Sequence, residues 1–219
     1  MNSPIFVDSK ITGGHYGLQT TKASKVFQNP MAVNTKIELT HNDIVADIGA
    51  YVGEYSIWAC RQGARKVLSY EPTPESFVVL QMNKRENMTL INKAVTGIQT
   101  DTVKLFISKG IGVTNSIAKQ ARKAGRITVP AITYEEAVKN ATVVKIDVEG
   151  AEYGYNIVQP QLRAIILEFH PIVKKPWKQK AKMIMDEIEG FGYQCIKRPQ
   201  FKHGWDLAGC WAKKDPHGI

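Results

Sequence analysis

Only three of the 219 residues are cysteine, Cys60, Cys195 and Cys210, an odd number, widely spaced and set among apolar neighbours. That pattern excludes a disulfide framework and the paired spacing of a zinc motif, so buried thiols are expected. No apolar run approaches the roughly 18 uninterrupted residues that a membrane-crossing helix needs. The start, Met1-Asn2-Ser3-Pro4, lacks the basic-then-apolar layout of a secretion signal. A soluble cytoplasmic protein without a membrane partner is the resulting expectation. Acidic residues are the scarcer charge, 20 Asp and Glu against 29 Lys and Arg, for a net charge of +9. Such a surplus can steer a protein to a polyanion, which keeps nucleic acid among the partners to be weighed.

With 43% apolar residues, the chain can bury one sizeable core. Residues 1–40 are polar and weakly periodic and read as an N-terminal extension or lid, ahead of one domain over residues 41–219. From Asp43 short apolar runs alternate with helical stretches. Strands are expected at 44–46 and 67–70, with helices at 54–61 and 74–87. A β-rich middle follows, with strands at 89–95, 103–108 and 128–132 around a basic loop, 119–126, that carries Arg122, Lys123 and Arg126. Two more buried strands, 143–146 and 164–169, flank a helix starting near Ala151. Residues 178–189 place Ala181, Ile184, Met185 and Ile188 on one helical face. The closing strands 193–197 and 207–213 suit an antiparallel edge. The alternation reads as a doubly wound α/β fold with a mostly parallel sheet.

The sharpest local signal is Asp47-Ile48-Gly49-Ala50-Tyr51-Val52-Gly53, where a buried strand gives way to a helix. Gly49 permits a tight turn, and Gly53 permits close packing of the helix start. In a dinucleotide fingerprint the position of Tyr51 would be a glycine facing the pyrophosphate, so a bulky residue there favours a ligand without one. Adenosylmethionine is such a ligand: an acidic strand-end residue, Asp47, and nearby backbone N–H groups would meet its amino acid end. The second strand ends in Tyr70-Glu71-Pro72, with Glu71 placed 24 residues after Asp47. An acidic residue about 20 positions on meets ribose hydroxyls.

A second acidic cluster, Lys145-Ile146-Asp147-Val148-Glu149-Gly150-Ala151-Glu152, ends another buried strand. If the backbone stays extended, Asp147 and Glu149 share a side and could hold a substrate hydroxyl, a cofactor amine or a divalent cation. Glu152 is either part of that cluster or a first-turn helix residue favoured by the dipole. The next strand brings Glu168 and His170 to the same edge. His170, with an ordinary pKa near 6.5, is either a general base or a buried structural histidine. A cation held by Asp147 and Glu168 is a further expectation.

With Asp47 to Gly53, Tyr70-Glu71-Pro72, Asn115-Ser116, Ile132-Thr133 and Lys145 to Glu152 in this order, the sequence resembles the FkbM family of methyltransferases over roughly residues 42–170. The resemblance implies a seven-stranded, Rossmann-like class I methyltransferase fold and adenosylmethionine as cofactor. It also implies O-methylation of a sugar or another small hydroxylated acceptor. Carried over, Asp47, Gly49, Ala50, Tyr51, Gly53, Glu71 and Pro72 would line the cofactor, with Asn115 and Ser116 near it. Asp147 and Glu149, with His170, would face the reacting centre. No Asp-Pro-Pro-Tyr or Asn-Pro-Pro-Tyr box and no Pro-Cys nucleophile is present, which disfavours methylation of base amines and of the cytosine ring. An RNA ribose methyltransferase would want a lysine between Asp147 and Glu168, and that stretch has none. A non-catalytic nucleic-acid module is the other alternative, resting on the basic loop, on Lys174-Lys175-Pro176-Trp177-Lys178, and on Lys202 with Trp205.

Overall fold

The structure is a computed structural model that describes residues 37–108, 116–117, 123–171, 176–199 and 208–213. Asn115, Arg122, Lys174, Lys175, Lys202 and Trp205, and residues 1–36 of the expected extension, lie outside the described residues.

β1 (Ile44–Ile48), α1 (Glu54–Arg61), β2 (Lys66–Tyr70), α2 (Pro74–Met82), β3 (Met88–Ile91) and β4 (Ala94–Thr96) open the fold. β5 (Thr102–Ser108), β6 (Lys123–Thr133), α3 (Tyr134–Val138), β7 (Val143–Ile146), a 3₁₀ turn (Glu152–Gly154) and β8 (Ala164–Glu168) follow. The chain closes with α4 (Trp177–Gly190), β9 (Tyr193–Lys197) and β10 (Ala208–Lys213). Seven strands form one sheet in the order β3-β2-β1-β7-β8-β10-β9, and β4-β6-β5 form a smaller one. β3, β2, β1, β7 and β8 are parallel, while β10 runs antiparallel between β8 and β9. This is a doubly wound, Rossmann-like α/β fold with an antiparallel end.

Both faces of the sheet are buried because alternate residues of each central strand enter different cores. Val45, Val143, Ala164 and Ile166 pack with Tyr55 and Ala59 of α1. Ala46, Ile48, Val144, Ile146, Ile165 and Leu167 pack on the other face with Ala181, Met185 and Ile188 of α4. Near-continuous apolar runs are what such two-sided strands require. Among the described residues, no helix is long and apolar enough to cross a membrane.

Four local expectations are corrected. The second helix stops at Met82 rather than 87, because Asn83 donates from Nδ2 to the Val52 carbonyl (2.9 Å) and Met88 must already pair with Val67. The strand expected over 89–95 is two strands in different sheets, broken where the Asn92 side chain donates to the Glu71 carbonyl (2.8 Å). The end of the basic loop is strand: Lys123 to Arg126 belong to β6, with Arg126 opposite Phe106 of β5. The helix expected from Ala151 is a single 3₁₀ turn, since Glu152 is consumed in buried hydrogen bonds that a regular helix would not reach. One helix, α3, was not foreseen; Thr133 caps it by accepting from Glu136 N–H at 3.3 Å.

The end of the sheet away from the acidic loop is clamped by Asp43, only 2% exposed. Its carboxylate accepts from Arg163 Nε (2.7 Å), Arg163 Nη2 (2.6 Å), Thr142 Oγ1 (2.7 Å) and Thr40 N–H (2.7 Å). Burial alone would raise its pKa, but Arg163 and the other donors outweigh it and hold the carboxyl at about 2. A folded-state pKa below the unfolded value gives stability that is present above pH 3.8 and lost as pH falls towards 2. With Arg163 partly in water, the contribution is of order 1–2 kcal/mol. Acid titration of unfolding free energy should therefore lose that part of its slope below pH 4 in Asp43→Asn. An unchanged slope would remove the assignment.

Candidate active site at the carboxyl edge of the sheet

β1 and β7 are neighbours whose chain connections leave in opposite directions, the switch point at which open α/β sheets bind ligands. Parallel pairing sets Asp47 opposite Ser69 on one side and opposite Lys145 on the other. A polar row thus crosses an apolar face. Asp47 is fully buried and accepts from Ser56 Oγ of α1 (2.6 Å), which in turn shares a hydrogen bond with Ser69 Oγ (2.7 Å). Lys145 Nζ lies 3.2 Å from Asp47 Oδ1 and donates to the Gly49 carbonyl at 2.8 Å. It also lies 3.5 Å from Asp147 Oδ2. Burial opposes its charge, but Asp47 and Asp147 more than offset that and raise its pKa, so Lys145 is an ammonium.

The Asp47 carboxylate is thus buried between Ser56 and Lys145, beside the turn. Gly49 has φ +81°, and a Cβ there would stand 1.8 Å from the Asp147 carbonyl oxygen, so only glycine fits. The N–H groups of Gly49 and Ala50 both donate to the Tyr70 carbonyl, at 3.0 and 2.9 Å. Tyr51 sits at φ +52°, a conformation costly for a bulky residue, and its N–H donates to Glu71 Oε2 at 2.9 Å. Gly53 (φ +95°) precedes α1 and leaves room for Leu80 of α2, rather than for the strand. Glu71 Oε1 accepts from Thr73 N–H (2.8 Å), while Pro72 is half-buried beside it. Burial raises the Glu71 pKa, against the pull of those N–H donors and Lys145. Glu71 thus accepts from two backbone N–H groups and from the Thr73 side chain.

Across the edge, the backbone does not stay extended after Asp147. Glu149 (φ +55°) and Gly150 (φ +104°) turn it, and this turn rather than strand alternation brings Glu149 beside Asp147. His170 Nε2 lies 3.5 Å from Asp147 Oδ1, 3.6 Å from Glu149 Oε1 and 3.6 Å from Glu168 Oε1. Glu152, fully buried, holds the loop from below by accepting from Gly150 N–H (2.8 Å) and His170 N–H (2.7 Å). Its Oε1 also lies 3.6 Å from His170 Nδ1, so it is no solvent-facing dipole residue. Ser116 donates to the Glu149 carbonyl (2.7 Å), tying the small sheet to the acidic turn.

Burial works against charge on His170, but Glu152, Asp147 and Glu149 raise its pKa to about 10. The ordinary value assumed from sequence does not hold, and at neutral pH the imidazolium already carries its proton. Glu168 is the complementary case: burial first, then Asp147, raise its pKa, while His170 and Lys145 oppose them. A carboxylate made more basic in this way suits proton acceptance better than a histidine that is already charged. Asp147, Glu149 and His170 also offer ligand atoms within 4.8 Å of one another, a set of donors that a cation could use.

Sequence reasoning quoted Lys145 without giving it a role and missed Ser56 and Ser69. A lysine inside the otherwise apolar run Val143–Ile146 was the available signal, because a charge in a central strand demands a partner.

Residues 47–195 match the methyltransferase FkbM domain. Among solved structures, the chain is similar to the methyltransferase FkbM of Methylobacillus flagellatus KT, at 13% identity and a TM-score of 0.53, over 81% of this chain and 45% of that one. It is also similar to a candidate rRNA-methylase of Clostridium thermocellum, at 8% identity and a TM-score of 0.51, over 84% of this chain and 93% of that one. At these identities the likeness concerns the fold. The chain spans less than half the length of the first structure. No curated protein matches the sequence. The family match covers more than half of the chain, from the aspartate of the glycine turn past the acidic loop, and the chain belongs to the FkbM methyltransferase family.

Proposed function

We propose that the chain is an adenosylmethionine-dependent O-methyltransferase whose acceptor is a hydroxyl on a sugar or another small molecule. The observation that carries this reading is the convergence of Asp147, Glu149 and Glu168 on His170 beside the turn from Asp47 to Gly53. Adenosylmethionine, when bound, supplies a methyl group activated on a sulfonium. The chain then has two tasks, to align the acceptor and to take one proton. Asp147 and Glu149, held by the His170 imidazolium, orient the hydroxyl, and Glu168 accepts its proton. Glu71, with Tyr51 and Pro72, holds the ribose, while Asp47, Gly49, Ala50 and Gly53 set the turn that receives the amino acid end. An acidic cluster of this kind receives a sulfonium and an ammonium favourably and repels phosphate, which supports a small uncharged or cationic acceptor over RNA.

A divalent cation is a separate reading: the donor set of Asp147, Glu149 and His170 would take one only with the His170 ring deprotonated. Calorimetric titration with adenosylmethionine, with its demethylated product, and with manganese ions tests both parts. Saturable one-site binding of the cofactor is expected, weakened about tenfold or more in Asp47→Ala, since the turn loses the carboxylate that fixes Ser56 and Lys145. Absence of cofactor binding by the folded chain would remove the function, and equal affinity in Asp47→Ala would remove the role of the turn. Salt-sensitive binding of RNA without cofactor binding would instead favour a nucleic-acid module.

A further inference from the structure

The ion pair between β1 and β7 reaches beyond the turn it stabilises. Lys145 is 3% exposed, and its ammonium has three oxygen partners in two functional segments. Asp47 Oδ1 (3.2 Å) and the Gly49 carbonyl (2.8 Å) belong to the glycine turn. Asp147 Oδ2 (3.5 Å) belongs to the acidic loop, and the same carboxylate presents Oδ1 to His170. The two segments also touch through the backbone, since Asp147 N–H donates to the Ile48 carbonyl (3.0 Å) and Gly49 leaves no room for a Cβ beside the Asp147 carbonyl. Without the ammonium, the buried Asp47 carboxylate and the Gly49 carbonyl would face the partly exposed Asp147 carboxylate with no positive charge between them.

We propose that Lys145 is a positioning residue that couples the two halves of the site, fixing the cofactor turn through Asp47 and Gly49 while holding Asp147 in place for the acceptor. The inference rests on the function proposed above. Lys145 touches neither cofactor nor acceptor in this scheme; it acts through Asp47, Gly49 and Asp147. The Gly49 carbonyl takes a hydrogen bond from the ammonium, while the Asp47 and Asp147 carboxylates lie at ion-pair distance from it.

The coupling makes a prediction that simple packing does not. Removing the ammonium leaves Asp47 and Asp147 repelling each other across the turn, so neutralising Asp147 should restore part of what is lost. Calorimetric titration with S-adenosylhomocysteine would be performed on the full chain and on Lys145→Met, Asp147→Asn and the double variant, with the fold checked by circular dichroism. Lys145→Met should bind about 30-fold more weakly than the parent, and the double variant should recover at least about threefold relative to Lys145→Met, with Asp147→Asn as the reference for loss of that carboxylate alone. Parent-like affinity in Lys145→Met, or a double variant no tighter than Lys145→Met, would overturn the inference. If Lys145→Met does not fold, the better-balanced double variant is compared with Asp147→Asn: about tenfold weaker binding supports the coupling, and equal binding overturns it. A parent that fails to bind removes the function and this inference together, whereas the variant results remove the inference alone.

Discussion

Gly49→Ala should lower Tm by about 6–12 °C and abolish cofactor binding, the largest effect expected from any single methyl group in this protein. Two costs add. The backbone at Gly49 has φ +81°, where a Cβ-bearing residue is strained by about 1–2 kcal/mol. The added Cβ would also stand 1.8 Å from the Asp147 carbonyl oxygen, a backbone atom that cannot rotate away. Relief requires β1 and β7 to separate at their carboxyl ends, against the ladder pairing of Ile48 with Ile146. Together these exceed roughly 3 kcal/mol, which places the change among the severe backbone substitutions. Separation of those ends would also pull Lys145 away from the Gly49 carbonyl. Differential scanning calorimetry and cofactor titration on the same sample check both parts. A Tm within 2 °C of the parent, about the smallest shift expected from 1 kcal/mol in a chain of this size, would show that the turn has slack the structure does not contain.

The second large effect is expected at Glu152. Its carboxylate has no exposure and holds the acidic loop to β8 through Gly150 N–H and His170 N–H. Glu152→Ala would leave two buried amides without an acceptor and take one carboxylate from the surroundings of His170. Breaking a buried, hydrogen-bonded charge in this way costs about 3–5 kcal/mol. The His170 pKa, held near 10 with Glu152 as the leading upward influence, should fall. A raised folded-state pKa gives stability that is fully present below pH 6.5 and lost as pH rises through about 10. Glu152→Ala should therefore lose less stability than the parent between pH 7 and pH 10. NMR titration of the His170 ring resonances together with thermal unfolding at those two pH values measures both. An unmoved histidine titration would show that Asp147, Glu149 and Glu168 suffice to hold the imidazolium.

The architecture was legible because it depends on local pattern. Short apolar runs bounded by turn residues located β1, β2, β7, β8 and β9 within two residues, and the Gly49 turn announced itself by position and composition. Where two elements compete for the same residues, local pattern misled. Lys84, Arg85 and Glu86 are good helix formers, yet the pairing of Met88 with Val67 ends α2 early. The stretch after Ala151 scans as a helix start, but Glu152 is drawn into the loop by two backbone amides.

By itself the sequence determined the alternation of strands and helices, the family resemblance, and which carboxylates lie at strand ends. All three follow from near-neighbour periodicity and residue type. Only the tertiary structure decided what those groups do to one another. The register of β1 against β7 sets Lys145 beside Asp47, 98 positions away along the chain, and turns that aspartate inward. The pairing of β7 with β8, together with the left-handed turn at Glu149 and Gly150, gathers four carboxylates within 3.6 Å of His170 and makes it a cation instead of a neutral base. Coulomb interactions of this size depend on distances of a few ångströms and on exclusion of water, and neither is written in the order of residues until the sheet has formed.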